Sequence, residues 1–269
     1  MSNEPKTLKL SVSKVKVFQS CKRKFQYSYV LKLPKKEWAH LLYGKILHRI
    51  LELYHNTIFE GSLLPKNFIM KDSFLKTMEE YKDQITKEVR KDVYELALSY
   101  LKSEQQSTSN YDVIGCEKPF EINIENKVIL NGAIDRIQVD EDKIIHVIDY
   151  KTSKDPKYLQ ADSFQLETYA YVLSYYQKQK DKWCKTASAD IDVVRGSYIM
   201  LKHNFKPIDF LIEKKTIDKI PEIFLKYGEA IEAETEYKPT TSPLCNYCDY
   251  KNVCSEGSKI RKRKPAGEW

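Results

Sequence analysis

The stretch Val147-Ile148-Asp149-Tyr150-Lys151 is an apolar run that closes on an acid and an amine two residues apart. In a strand, side chains at i and i+2 share a face, so Asp149 and Lys151 stand side by side. An earlier run, Gly132-Ala133-Ile134-Asp135-Arg136, reads as a neighbouring strand that ends on a second acid at comparable depth. Two carboxylates converging at a sheet edge form an oxygen-rich site for a hard divalent cation. A lysine beside them can orient or activate a water and offset charge building on a phosphate. Taken alone, a salt bridge at a strand end is the simpler account. Two further pairs add to it. Gly44 and His48 are four apart in a helical pattern, on a face where glycine admits another backbone or a phosphate. Gln165 and Tyr169 are spaced the same way on a helix just after the acid–lysine strand, so their polar ends project together.

A second constellation is made of thiols. Cysteines stand at 21, 116, 184, 245, 248 and 254. Cys245-x2-Cys248-x5-Cys254 places three in one short, irregular segment, and a CxxC spacing lets both sulfurs turn to one centre, as in zinc and iron–sulfur sites. A fourth ligand is needed, and Cys21 is the candidate; it would pin the start of the chain to its end. Closing so long a loop removes unfolded-state entropy, as a long-range disulfide does. Cys116 and Cys184 read as ordinary buried thiols.

These residues need elements to hold them. Residues 11–33 suggest a short amphipathic helix with Ser13 as its N-cap and an aromatic stretch behind it. Leu41, Leu47, Ile50, Leu51 and Tyr54 give a broad apolar stripe to a helix over 38–59. Gly61 to Pro65 is a break, and 71–106 reads as helical again. Alternation at Phe120, Ile122 and Ile124 then starts an antiparallel meander: a turn at 125–127, a strand over 128–139, a turn at 140–142 and a strand over 144–150. A helix over 158–179, a strand pair near 193–202 and 207–213, and a helix over 217–234 follow. The expectation is a single α/β domain. Its helical part is 11–110, its sheet core with flanking helices 111–235, its cysteine module 236–258 plus Cys21, and its basic tail 259–269.

The chain has 269 residues, 31% of them charged and 42% hydrophobic, with a formal net charge of +7. That length buries roughly three-quarters of the unfolded surface, and the balance of charged and hydrophobic residues excludes wholesale disorder and a collagen-like fibre. No apolar run approaches the length of a membrane-spanning helix, and MSNEPKTLKLSVSK lacks the apolar centre of a secretory signal. An intracellular, cytoplasmic protein without a membrane partner is expected. Basic runs at 22–24 and 259–264 admit a polyanionic partner. If one centre is ligated by Cys21 and the C-terminal thiols, those runs would meet as a positive collar for a single strand. Tyr247 and Tyr250 would then be placed to stack on bases.

Together these motifs resemble the PD-(D/E)XK nuclease superfamily, and within it the RecB-like and CRISPR-associated exonucleases. Ser11-Val12-Ser13 with Cys21-Lys22-Arg23-Lys24-Phe25 looks like the family's opening and Gly44-x3-His48 like its GxxxH motif. The two acidic motifs are matched by Gly132-Ala-Ile-Asp135-Arg136 and Ile148-Asp149-Tyr150-Lys151-Thr152, and Gln165-x3-Tyr169 looks like QxxxY. The resemblance implies a restriction-endonuclease-like core, a mixed central sheet flanked by helices. It implies Mg²⁺ or Mn²⁺ held by His48, Asp135, Asp149 and the Tyr150 carbonyl, with Lys151 as the catalytic lysine. Gln165 and Tyr169 would support the site and the DNA, and Glu117 would have a supporting role. It further implies a 4Fe–4S cluster on Cys21, Cys245, Cys248 and Cys254, with zinc as the other occupant. The expected function is metal-dependent exonuclease action on single-stranded DNA ends in recombination, repair or replication, beside a helicase or another recombination or CRISPR protein. Trimming of DNA before integration into a CRISPR array is an alternative on the same site. A catalytically inactive DNA-binding or scaffold subunit is the alternative of another class.

Overall fold

A computed structural model describes residues 7–36, 39–106, 111–152, 159–160, 162–179 and 191–260. The elements, in chain order, are β1 (Leu8–Leu10), α1 (Val12–Ser20), α2 (Lys22–Phe25), a π-helical turn (Gln26–Val30), α3 (Ala39–Phe59), α4 (Lys66–Glu80) and α5 (Lys87–Gln106). Then come β2 (Tyr111–Ile124), β3 (Val128–Asp140), β4 (Ile145–Lys151), α6 (Phe164–Lys178), β5 (Val193–Met200), β6 (Pro207–Glu213), α7 (Lys214–Ile217), α8 (Ile220–Glu232) and α9 (Ser255–Lys259). The chain divides into two compact units: residues 1–38, 123–130 and 223–269, and residues 39–122 and 131–222.

In the first unit, β1 pairs in parallel with the opening of β3, Leu8 against Val128. The helix expected over 11–33 is two helices and a turn. Its cap is Ser11, not Ser13: Ser11 is extended and accepts from the Lys14 N–H at 3.3 Å, which is what an N-cap residue does. Cys21, also extended, ends α1, and its sulfur accepts from Lys24 N–H at 3.5 Å to open α2. On α8, a Cβ at Gly228 would stand 2.7 Å from Val128 Cγ2, so the glycine permits the close approach of helix and strand. The helix expected from 217 to 234 is broken at 218–219, between α7 and α8.

In the second unit the sheet runs β3–β4–β5–β6, with β2 against β3. β3 and β4 are antiparallel, β4 and β5 parallel, β5 and β6 antiparallel, so the sheet is mixed. Register settles the faces. Ile137 opposes Val147, and Asp149 opposes Tyr198. Asp135, Asp149, Lys151 and Tyr198 therefore share one face, and Arg136, Gln138, His146, Tyr150 and Ser197 the other. The first face carries α6: a Cβ at Gly196 would meet Leu166 Cβ at 2.9 Å. On the other, Ile148 and Tyr150 join a buried cluster with Ile46, Leu47 and Ile50 of α3, Met70 of α4 and Tyr100 of α5. The single helix expected over 71–106 is α4 and α5. The chain leaves helical geometry at Tyr81 (φ −109°, ψ 12°) and restarts where Thr86 Oγ1 accepts from Val89 N–H at 3.3 Å. No glycine or proline marks that break. Part of the helix expected over 158–179 lies outside the described residues; α6 begins at Phe164.

Candidate active site

The acid–lysine strand behaves as its alternation requires. Lys151 Nζ lies 2.5 Å from Asp149 Oδ2 as an ion pair. Across α6, Gln165 binds both ends of that pair: its Nε2 donates to Asp149 Oδ1 at 2.6 Å, and its Oε1 accepts from Lys151 Nζ at 3.0 Å. The same Nε2 lies 2.8 Å from the Tyr169 hydroxyl, which stands 3.4 Å from Asp149 Oδ1. The helical i, i+4 spacing thus delivers two polar ends to one buried carboxylate.

Asp135 does not end its strand; β3 continues to Asp140. Nor do the acids lie at a sheet edge, because β4 runs between β3 and β5. The pairing of the two strands brings the acids together: the Tyr150 N–H donates to Asp135 Oδ2 at 2.8 Å. His48 reaches over from α3 with Nε2 3.0 Å from the Tyr150 carbonyl oxygen. Its Nδ1 stands 3.4 Å from Asp135 Oδ2 and 3.6 Å from Glu117 Oε1. A Cβ at Gly44, one turn earlier, would lie 3.2 Å from Thr152 Oγ1, just past the acid–lysine strand.

Among the described residues, His48, Glu117 and Asp135 form the group of three whose ligand atoms lie within 4.8 Å of one another. Sequence reasoning underrated Glu117. The burial alternation of β2 breaks at Gly115–Cys116, and Glu117 takes a left-handed backbone (φ 43°), a strained conformation of the kind found at functional sites. Gly115 and Pro119 flank Glu117, and each marks an irregularity within a strand, but neither says which side chain the kink delivers to the acids.

The electrostatics call for positive charge. Burial, then the negative charge of Asp149, raises the Asp135 carboxyl to about 8. Burial opposes charge on His48, but the hydrogen bond to Glu117 and the charges of Asp135 and Asp149 outweigh it and raise the imidazole to about 9. Burial and the neighbouring Asp149 also hold the Tyr169 hydroxyl well above its usual range, so it serves as a donor. Three carboxylates that repel one another, beside an imidazole and largely buried, fit a divalent cation.

In the first unit, Cys21, Cys245, Cys248 and Cys254 line one cavity, together with Arg23, Lys24 and Lys251. All four thiols are free. Backbone N–H groups point at their sulfurs, Thr240 to Cys21 and Ser242 to Cys245, each at 3.4 Å. Gly257 allows the segment to close, since a Cβ there would lie 2.9 Å from the Lys251 carbonyl. Tyr250 cannot stack on bases: it is buried, edge-on to Tyr27, with its hydroxyl donating to the Leu33 carbonyl. Tyr247 is exposed. Lys22 is paired with Glu234 and Lys259 with Glu256; residues 261–264 of the basic run, like Cys184, lie outside the described residues. Cys116 is buried, and burial pushes its thiol to about 12.

A mixed sheet covered by helices, with acids, a lysine and a QxxxY helix meeting on one face, defines a nuclease-like core. Residues 9–255 match the PD-(D/E)XK nuclease superfamily, and the chain belongs to it. Nucleases of this superfamily use divalent metals such as Mg²⁺ or Mn²⁺, and a histidine–carboxylate triad is present here. Over 176 residues the chain is 28% identical to one subunit of an ATP-dependent helicase/deoxyribonuclease from Streptococcus pyogenes serotype M49, covering 62% of this chain and 16% of that protein. The serotype M3 counterpart is 29% identical over 178 residues, with the same 62% and 16% coverage. The match thus takes in a small part of the length of these curated relatives. A solved structure from Eubacterium rectale, which carries a provisional exonuclease name, aligns over 96% of this chain and 90% of its own at 13% identity and a TM-score of 0.46. Among the described residues, no helix is long and apolar enough to cross a membrane.

Proposed function

We propose that the chain is a divalent-metal-dependent deoxyribonuclease that shortens DNA from its ends, acting on single strands. The observation that carries this reading is the convergence of Asp149, Lys151, Gln165 and Tyr169 with the His48–Glu117–Asp135 group in one unit. Asp135, Asp149, His48 and the Tyr150 carbonyl, joined by Glu117, would hold Mg²⁺ or Mn²⁺. Such a cation, when bound, supplies an activated water and positive charge against the scissile phosphate. Lys151 places its ammonium beside Asp149, where it orients that water and offsets charge on the phosphate. Gln165 holds acid and amine in register, and Tyr169 buries the far side of the carboxylate.

Cys21, Cys245, Cys248 and Cys254 would hold a 4Fe–4S cluster, with zinc the other occupant their chemistry admits. The shared cavity supports a common centre. The centre would act as a staple between two distant segments. The helicase in the relatives' names supports a motor partner that feeds single strands to the site in recombination or repair, ahead of a role in CRISPR array acquisition.

The test is digestion of end-labelled single- and double-stranded DNA with and without Mg²⁺ or Mn²⁺. Metal-dependent shortening of the single strand, absent in Asp149→Ala and Lys151→Ala, is expected. Undiminished cleavage by Lys151→Ala would overturn the assignment.

A further inference from the structure

We propose that α4 and α5 of the second unit form a strand-holding groove, outside the active site, that grips single-stranded DNA by its phosphates and its base faces. About 350 Å³ of open space lies between the two helices. Phe74, Leu75 and Tyr94 give it an apolar lining, and Lys71 of α4 with Lys87, Arg90 and Lys91 of α5 give it a charged one.

Amphipathic helices set polar side chains toward solvent. Here Leu75 is 48% and Tyr94 37% exposed, and they meet in the groove beside the buried Phe74. The Phe74 and Tyr94 rings stand 4.8 Å apart at 54°, and the Arg90 guanidinium lies 5.9 Å from the Phe74 ring centre. The charge is as one-sided as the apolar exposure. Among the described residues, the lining holds these four cations and no carboxylate. Nearby lysines are matched, Lys76 by Asp72 at 2.7 Å and Lys82 by Glu79 at 2.6 Å. In the groove, Lys91 has only Glu95 at 3.8 Å. Lys71 and Lys87 are exposed and make no side-chain hydrogen bond or ion pair among the described residues. Lys87, Arg90 and Lys91 also sit at i, i+3 and i+4 on α5, a spacing at which like charges repel. An anion laid along the groove would relieve that repulsion.

A free phosphate answers the cations alone, and an uncharged apolar segment answers the rings alone. Single-stranded DNA answers both, with phosphates for the ammonium groups and base faces for the Tyr94 ring and the Arg90 plane. A duplex keeps those faces inside its stack. Choosing a strand over an acidic protein segment rests on the nuclease reading above. The groove is joined to the active site through two helices. Arg49, next to His48 on α3, forks onto Glu80 of α4 at 2.9 and 2.8 Å. Leu75 lies earlier on α4, about 7.5 Å along the helix from Glu80.

The test is fluorescence anisotropy of the full chain, without divalent metal, against a labelled single strand of about 20 nucleotides, longer than common single-strand sites, and against the matching duplex. Lys71→Ala combined with Lys87→Ala should flatten the salt slope of strand binding by about 1.4, the counterions of two phosphates. Tyr94→Leu keeps apolar cover over Phe74 and removes only the ring. It should weaken strand binding by about fivefold to a hundredfold and leave duplex binding unchanged. With Mn²⁺ present, these variants should raise KM for the strand but leave kcat, and cleavage of a dinucleotide, unchanged. Strand affinity and salt slope that none of the substitutions moves would overturn the proposal. So would a duplex that loses as much affinity as the strand in Tyr94→Leu, since base faces are then not what is gripped. Displacement of the strand at equal affinity by an amphipathic helical peptide of Glu and Leu would overturn it too, in favour of a protein-docking face. Binding is read without metal, so a chain that binds through the groove but cuts nothing fails only the nuclease reading. One that cuts but ignores these substitutions fails only this proposal.

Discussion

Metal binding at the candidate active site should release protons. Without metal, the Asp135 carboxyl titrates at about 8 and the His48 imidazole at about 9, so near neutrality both carry a proton. A carboxylate and an imidazole must shed those protons to ligate. Binding of Mn²⁺ near pH 7 should therefore release close to two protons, and affinity should rise by up to about a hundredfold per pH unit below that point, tenfold for each proton. Calorimetric titration with Mn²⁺ in two buffers of different ionisation enthalpy counts the protons directly. His48→Ala should lower the count by one; if the count is unchanged, His48 positions the Tyr150 carbonyl and is not itself a ligand. A wild-type count near zero, with affinity independent of pH, would refute the electrostatic account of the site.

The same groups set the stability of the metal-free protein. Asp135 is raised above its unfolded value of 3.8, and His48 above 6.5. The native state therefore binds the extra protons, and stability should fall as pH rises from about 4 to about 9. Thermal melting of the metal-free protein across that range should show the decline, Asp135→Asn should flatten it, and saturating Mn²⁺ should reverse it. Gln165→Leu should cut single-turnover cleavage roughly tenfold to a hundredfold while leaving Mn²⁺ affinity nearly unchanged, because Gln165 positions Asp149 and Lys151; loss of metal affinity instead would make it part of the metal site. Glu104→Ala should destabilise the fold by about 3–5 kcal/mol in urea unfolding, since it strands the buried Arg136. Protein purified without oxygen should be brown, and Cys21→Ala should bleach it as fully as Cys248→Ala; a colourless protein with one equivalent of zinc would replace the cluster and keep the staple.

Much of the candidate site is legible in the chain because two of its parts are local. Asp149 and Lys151 need only strand alternation to share a face, and Gln165 and Tyr169 need only a helical turn to converge. Periodicity also places α3, the β3–β4 hairpin and the β5–β6 pair close to where they stand, since each depends on neighbours along the chain. The Thr86 restart of α5 has no such signature: it is a side-chain cap without a glycine or proline to announce it. Gly115 and Pro119 mark an irregularity at Glu117, but its left-handed backbone is held by what surrounds it. Tyr250 reads as a ring free to stack until Tyr27 and the Leu33 carbonyl, distant in sequence, enclose it. Register decided the rest. Once Arg136 pairs with Ile148 and Ile148 with Ser197, the acids take one face of the sheet, and Gln138, His146, Ser197 and Asp209 join into a polar ladder on the other. A one-residue slip in either pairing would exchange those faces, and the β4–β5 pairing joins residues far apart in the chain.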